Sequence, residues 1–170
     1  MLVGVVDADQ LNVYYDGTNT LVTNTINLIP NGPAVPLDVR ITYSQNRTPP
    51  NNVHIFTYKV IQATGGSASD IIVTAVEGNN ASNTAQPFPL YWTQDGGEGA
   101  TEQIDITIAS TGPIGANYSI VFLDFSTGDM VSLQVATIHS TNIPEFPTIA
   151  LPVAGVIGLI YLLHFRRKKQ

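Results

Sequence analysis

Apolar and polar side chains alternate with a period of two along much of residues 1–142. Leu37, Val39, Ile41 and Tyr43 alternate with Asp38, Arg40 and Thr42. Ile104, Ile106 and Ile108 alternate with Asp105, Thr107 and Ala109, and Val131, Leu133 and Val135 alternate with Ser132, Gln134 and Ala136. Successive side chains of a strand point to opposite faces, so each run predicts a strand with one buried face. Residues 53–61 and 118–125 are apolar on both faces in places, as a central strand is. Leu2–Val6, Leu11–Tyr15, Leu21–Ile29 and Asp70–Val76 bring the set to roughly nine strands. No amphipathic helical pattern of about ten residues or more precedes residue 143.

The punctuation agrees. Asp16-Gly17 between Tyr15 and Thr18 is a two-residue hairpin signal, because Gly17 can take positive φ. Asn31-Gly32-Pro33, Pro49-Pro50-Asn51-Asn52, Gly65-Gly66, Gly78-Asn79-Asn80, Gly112-Pro113 and Gly128-Asp129 mark further turns. Short strands without crossover helices predict an all-β fold, an antiparallel β-sandwich of immunoglobulin-like or jelly-roll-like form, over residues 1–139. One stretch breaks the rhythm. Residues 79–101 read as a long loop carrying Phe88, Tyr91 and Trp92, either a plug for one end of the core or an aromatic platform for sugar rings.

Composition narrows the chemistry. Charged residues make up 12% of the 170, and polarity comes instead from 18 Thr, 13 Asn and 9 Ser. Cysteine is absent, which excludes disulfides, thiolate metal sites and cysteine nucleophiles. Residues 1–145 hold three cations, Arg40, Arg47 and Lys59, against thirteen carboxylates, a balance of −10. So acidic a body excludes nucleic acid as a partner, because backbone binding needs several Lys or Arg.

The remaining cations, Arg166, Arg167, Lys168 and Lys169, close the chain. Before them, residues 147–165 contain no Asp, Glu, Lys or Arg. As helix this span reaches roughly 28 Å, close to the hydrocarbon thickness of a bilayer. It predicts a transmembrane helix over 147–165 with a basic stop-transfer tail at 166–170. A buried core helix would need no tetrabasic terminus. The positive-inside rule puts that tail in the cytoplasm and the body outside. An exported body needs an export signal. Met1–Val6 is followed by Asp7 and Asp9 and has neither a basic n-region nor a long apolar stretch, so the expectation is a signal upstream of Met1.

Residues 140–146 form a short stalk ending in Pro144-Glu145-Phe146. That motif, the apolar span and the basic cluster together resemble the PEF-CTERM sorting signal of archaeal surface proteins. The resemblance implies export, recognition by a membrane-embedded archaeosortase, cleavage near the motif and transfer of the new C-terminus to a lipid. A plain single-pass anchor is the alternative.

Candidate sites in the body are sparse. His54 and His139 are its only histidines and read as structural or surface residues, without the close-spaced pair of a metal motif. Glu98 with Glu102, and Asp124 with Asp129, are candidate carboxylate pairs for glycoside hydrolysis, each with a plain role in loops or turns. No catalytic residue and no cofactor is expected. Calcium is the one metal weighed, with Asp7, Asp9, Asp95, Glu98 and Asp129 as oxygen donors. Asn46, Asn80 and Asn117 stand in N-x-Ser/Thr sequons as candidate glycosylation sites. The expected function is that of a non-enzymatic archaeal cell-surface protein, anchored at the membrane through its sorting signal, in contact with envelope proteins or glycans. The alternative is an adhesive or glycan-binding module using residues 79–101.

Overall fold

The computed structural model of the chain describes residues 8–49, 51–77 and 84–139. The chain divides into two units, Met1–His139 and Ser140–Gln170. The predicted transmembrane helix, the Pro144-Glu145-Phe146 motif, the basic tail, Asp7 and Asn80 lie outside the described residues. Among the described residues no helix is long and apolar enough to cross a membrane.

The first unit is all-β. Its strands are β1 (Gln10–Tyr15), β2 (Ile26–Leu28), β3 (Val35–Thr42), β4 (Val53–Thr64), β5 (Ile71–Glu77), β6 (Leu90–Thr93), β7 (Thr101–Ser110), β8 (Asn117–Asp124) and β9 (Met130–Thr137). They form a four-stranded sheet in the order β1-β3-β7-β5 and a five-stranded sheet in the order β2-β9-β8-β4-β6. Pairing is antiparallel except for β2, which runs parallel to β9. A 3-10 turn, Ala68–Asp70, precedes β5.

The alternation does what the pleat requires. Leu37, Val39, Ile41, Ile104, Ile106 and Ile108 from one sheet join Phe56, Leu90, Ile120, Phe122, Leu133 and Val135 from the other in one buried cluster. At about 25 cal/mol per Å² of apolar area, this shared layer is the principal stabilising term. Phe56 stacks on Phe122 with ring centroids 5.8 Å apart.

Three boundaries differ from the pattern. The strand expected over Leu21–Ile29 is broken: Leu21 bridges Tyr14, and only Ile26–Leu28 pairs again, across on the other sheet. The chain therefore changes sheets within that segment. Residues 79–101 are not one loop, because β6 lies inside them and pairs with Val53–Phe56. Strand β4 runs on to Thr64, past the expected end at residue 61, with a register shift between Val60 and Gln62. Gly17 takes φ +64 as its hairpin signal required, although the loop is longer than two residues and closes where the Tyr15 N–H donates to the Thr20 carbonyl.

Candidate functional site

Register brings six segments to one end of the sandwich. The start of β1 and the end of β3 meet there, since Gln10 pairs Thr42. So do the start of β7, the start of β4, the end of β8 and the start of β9. Apolar residues fill the middle of the sandwich. At this end the inward positions are polar: Asp9, His54, Gln94, Glu102 and Asp124 are all buried. Burying so many ionisable groups is costly unless each finds a partner.

Most do. The Arg47 guanidinium donates to both oxygens of Asp9, at 2.8 Å and 3.0 Å, with side-chain exposures of 12% and 0%. The Ser44 N–H and hydroxyl both donate to Asp9 Oδ1 at 2.8 Å. Burial alone would push the Asp9 carboxyl up. The Arg47 hydrogen bonds, those of Ser44 and the guanidinium charge outweigh it and hold the group below the ordinary carboxylate value. Gln94 donates to the carbonyls of Gln45 and Gly96 and so ties the loop after β3 to the loop after β6.

Deeper in, the Tyr43 hydroxyl donates to the Glu102 carboxylate and accepts from the Trp92 indole N–H at 3.1 Å. Burial, then the hydrogen bond to Glu102, raises the Tyr43 pKa far above that of an ordinary phenol. His54 Nδ1 lies 2.5 Å from Asp124 Oδ2, and both side chains are fully buried. The His54 ring stacks on Trp92 at 5.4 Å and leans on Tyr43 at 5.1 Å. Its Nε2 is buried with no hydrogen-bond partner. One ligand atom each from Asp9, His54 and Asp124 lie within 4.8 Å of one another. Outside this layer, clefts of about 550 Å³ and 360 Å³ open between the loops and share Gln45, Arg47 and Ser126 in their walls.

The structure distributes the sequence candidates unevenly. Trp92 faces inward, Tyr91 faces outward at 61% exposure, and Phe88 packs on Phe56 and Tyr58. The three therefore do not form one platform; alternation along β6 separates the two neighbours. Glu98 is exposed and Glu102 buried. Asp124 is buried on His54, while Asp129 accepts the Asp9 N–H at 3.1 Å. Asp95 is exposed in the loop after β6. Asn46 and Asn117 are exposed, as is His139. The pairing of His54 with Asp124 is not legible locally, because the sequence neighbours of His54 are the apolar Val53 and Ile55. In a strand those neighbours lie on the opposite face. His54 shares its face with Phe56, as Asp124 does with Phe122 and Glu102 with Ile104.

Residues 143–169 match the family model of the PEF-CTERM archaeal protein sorting domain. That segment holds the Pro144-Glu145-Phe146 motif, the apolar span and the cluster Arg166–Lys169. Among curated proteins none matches the chain. Among solved structures, a family 123 glycoside hydrolase from Clostridium perfringens is similar at 13% identity and a TM-score of 0.45. The alignment covers 78% of this chain and 27% of that one, so the chain spans about a quarter of the hydrolase. WR4, an MSP family member of C. elegans, is similar at 12% identity and a TM-score of 0.33, over 68% of this chain and 92% of that one. Both overlays are too loose to carry a function over.

Proposed function

We propose that this is a non-enzymatic archaeal cell-surface protein, exported and then anchored through its PEF-CTERM tail, with a structural role in the envelope. The observation that carries this is the match over residues 143–169. The tail is the substrate of an archaeosortase-like membrane enzyme. Pro144 and Pro147 bias the residues before them away from helix, as a motif open to cleavage requires. The apolar span and basic cluster hold the precursor at the bilayer with the body extracytoplasmic. Two properties of the body support a structural role. Each carboxylate pair has a buried member, Glu102 or Asp124, and the residues 88, 91 and 92 that a sugar platform needs point apart. The strand order favours the immunoglobulin-like form of the sandwich: β1-β3-β7-β5 and β9-β8-β4 reproduce its two sheets, with β2 and β6 added at the edges.

Intact-mass measurement on protein from native membranes tests this. A mature chain ending near residue 146 and carrying a lipid is the expected product. A mass that still includes residues 149–170 would show a plain transmembrane anchor instead.

A further inference from the structure

The polar end of the sandwich holds a feature that anchoring does not use. His54 is fully buried and only half satisfied: Nδ1 has Asp124, while Nε2 has no partner. Neither protonation state repairs this. A neutral ring with its proton on Nδ1 leaves a bare lone pair at Nε2, and a doubly protonated ring leaves an N–H there. Beside it Asp9 and Asp124 are buried carboxylates, and Asp129, which accepts the Asp9 N–H, is half-buried. Among the described residues the fixed cation bonded within this group is Arg47, on Asp9. A buried layer with a surplus of acceptors and negative charge is one that a cation completes.

We propose that Asp9, His54 and Asp124 form a binding site for a divalent first-row transition-metal ion of the zinc class. Their ligand atoms already lie within 4.8 Å of one another, from the segment before β1, from β4 and from the end of β8. Two carboxylates and one imidazole make three protein ligands, which leaves a fourth position for water. The donor set separates zinc from calcium. Calcium takes six to eight oxygens, whereas an imidazole nitrogen suits the zinc class. The calcium weighed from the sequence therefore gives way here to a different ion. Asp9 keeps a role while paired, because its Oδ2, which accepts from Arg47 Nη1, has a second lone pair to offer. A cleft of about 360 Å³, lined by Asp9, Arg47, Ser126 and Asp129 among others, gives an ion a way in. Two ligands of one zinc ion, each about 2 Å from it, stand roughly 3 Å apart. The ion takes the lone pair of His54 Nδ1, so the 2.5 Å contact of Nδ1 with Asp124 Oδ2 widens on binding, and Nε2 then carries the ring proton.

The site stands or falls independently of the tail. The test uses the full chain in detergent, stripped with chelator and titrated with Zn²⁺, Ca²⁺ and Mg²⁺ by calorimetry and thermal melting. One Zn²⁺ per chain with a raised Tm is expected, and no shift with Ca²⁺ or Mg²⁺. Asp9→Asn should weaken Zn²⁺ binding about tenfold or more. His139→Ala should leave it unchanged, since that residue lies outside the cluster. His54→Asn should abolish it. Because that change also removes the buried contacts of His54 with Asp124 and Trp92, X-ray absorption on the zinc-loaded native chain is the second measurement, with imidazole expected in the ligand shell. No stoichiometric binding, a shell without imidazole, or loss of binding in His139→Ala would overturn the site.

Discussion

The two ends of the sandwich are closed by different chemistry. The end holding Arg47, Asp9, His54 and Asp124 is closed by buried ionisable groups. The other end is closed by one tyrosine and small residues. Tyr118, at the start of β8, is 1% exposed, and its hydroxyl donates to Asp70 Oδ2 at 3.0 Å. Gly66 and Gly112 flank that contact: a methyl on either would press on the Tyr118 hydroxyl and lie 2.8 Å or 2.9 Å from Asp70 Oδ2. There Ser110, Tyr118 and Thr137 are buried and each is hydrogen-bonded. The second arrangement suffices to close a sandwich. The first is more expensive than closure requires, and an imidazole left with an unsatisfied nitrogen makes it more so. The difference is what singles out the ionisable end for the proposed metal site.

Four substitutions or conditions would sharpen that contrast. Arg47→Ala should have the largest effect, because it strands the Asp9 carboxylate in the interior. A loss of about 3–5 kcal/mol is expected in urea unfolding. A loss under 1 kcal/mol would mean that Asp9 is solvated and the end is looser than it looks.

Acid should act on the same end. The folded Asp9 value lies below the ordinary 3.8, so its stabilisation is fully present above that value. It is lost as pH falls through the folded value. The urea midpoint should therefore drop on acidification below about pH 4, and less so in Arg47→Ala, which has already lost the interaction.

Gly112→Ala tests the opposite end. Its side chain has no room beside Tyr118, and overpacking costs about 1–3 kcal/mol. Tm should fall without any change in the acid response, because no group of the ionisable end is touched.

The smallest effect concerns a carboxylate belonging to neither end. Asp38 is fully buried and stands directly across from Asp105. Burial, then the charge of Asp105, raises its pKa despite bonds from Gly17 and Arg40. A raised value means its contribution is present below pH 3.8 and lost as pH rises through the folded value. Asp38→Asn should thus gain about 0.5 kcal/mol at neutral pH, by removing a like-charge pair across β3 and β7. The gain should vanish near pH 3. An Asn variant less stable at pH 7 would show that the Arg40 bond to Asp38 outweighs the repulsion.

Much of the sandwich was legible because alternation is local. Leu37, Val39, Ile41 and Ile104, Ile106, Ile108 are the buried faces that the pattern named. Strand β6 was hidden because it is four residues long and flanked by Pro87, Pro89 and Gly96-Gly97, which read as loop. The sheet change after Leu21 was hidden because Leu21–Ile29 keeps its apolar character on both sides of the break. The polar end was half legible. Alternation assigns His54, Glu102 and Asp124 to inward positions, but no sequence spacing says that β4, β7 and β8 end at one level. Registers such as Phe56 with Asp124 fix that, and they arise from pairings some seventy residues apart. The tail was legible for the opposite reason: its signal is contiguous from Ile143 to Lys169.

The parallel strand β2 has a mechanical consequence. Strand β9 is the last of the body, and the chain continues from it into the tail. It is bonded on one edge to β8, from Asn117↔Ala136 to Leu123↔Met130, and on the other to β2 through Ile26, Asn27 and Leu28. The Ile138 N–H adds a bond to the Leu28 carbonyl at 2.8 Å. A load applied at residue 139 along the axis of β9 stresses these bonds together in shear, so they cannot open one after another like a zip. Deleting the short flank of β2 would leave a single loaded edge. In single-molecule pulling from residue 139, the rupture force should then fall well below that of the intact chain, even where equilibrium stability changes little.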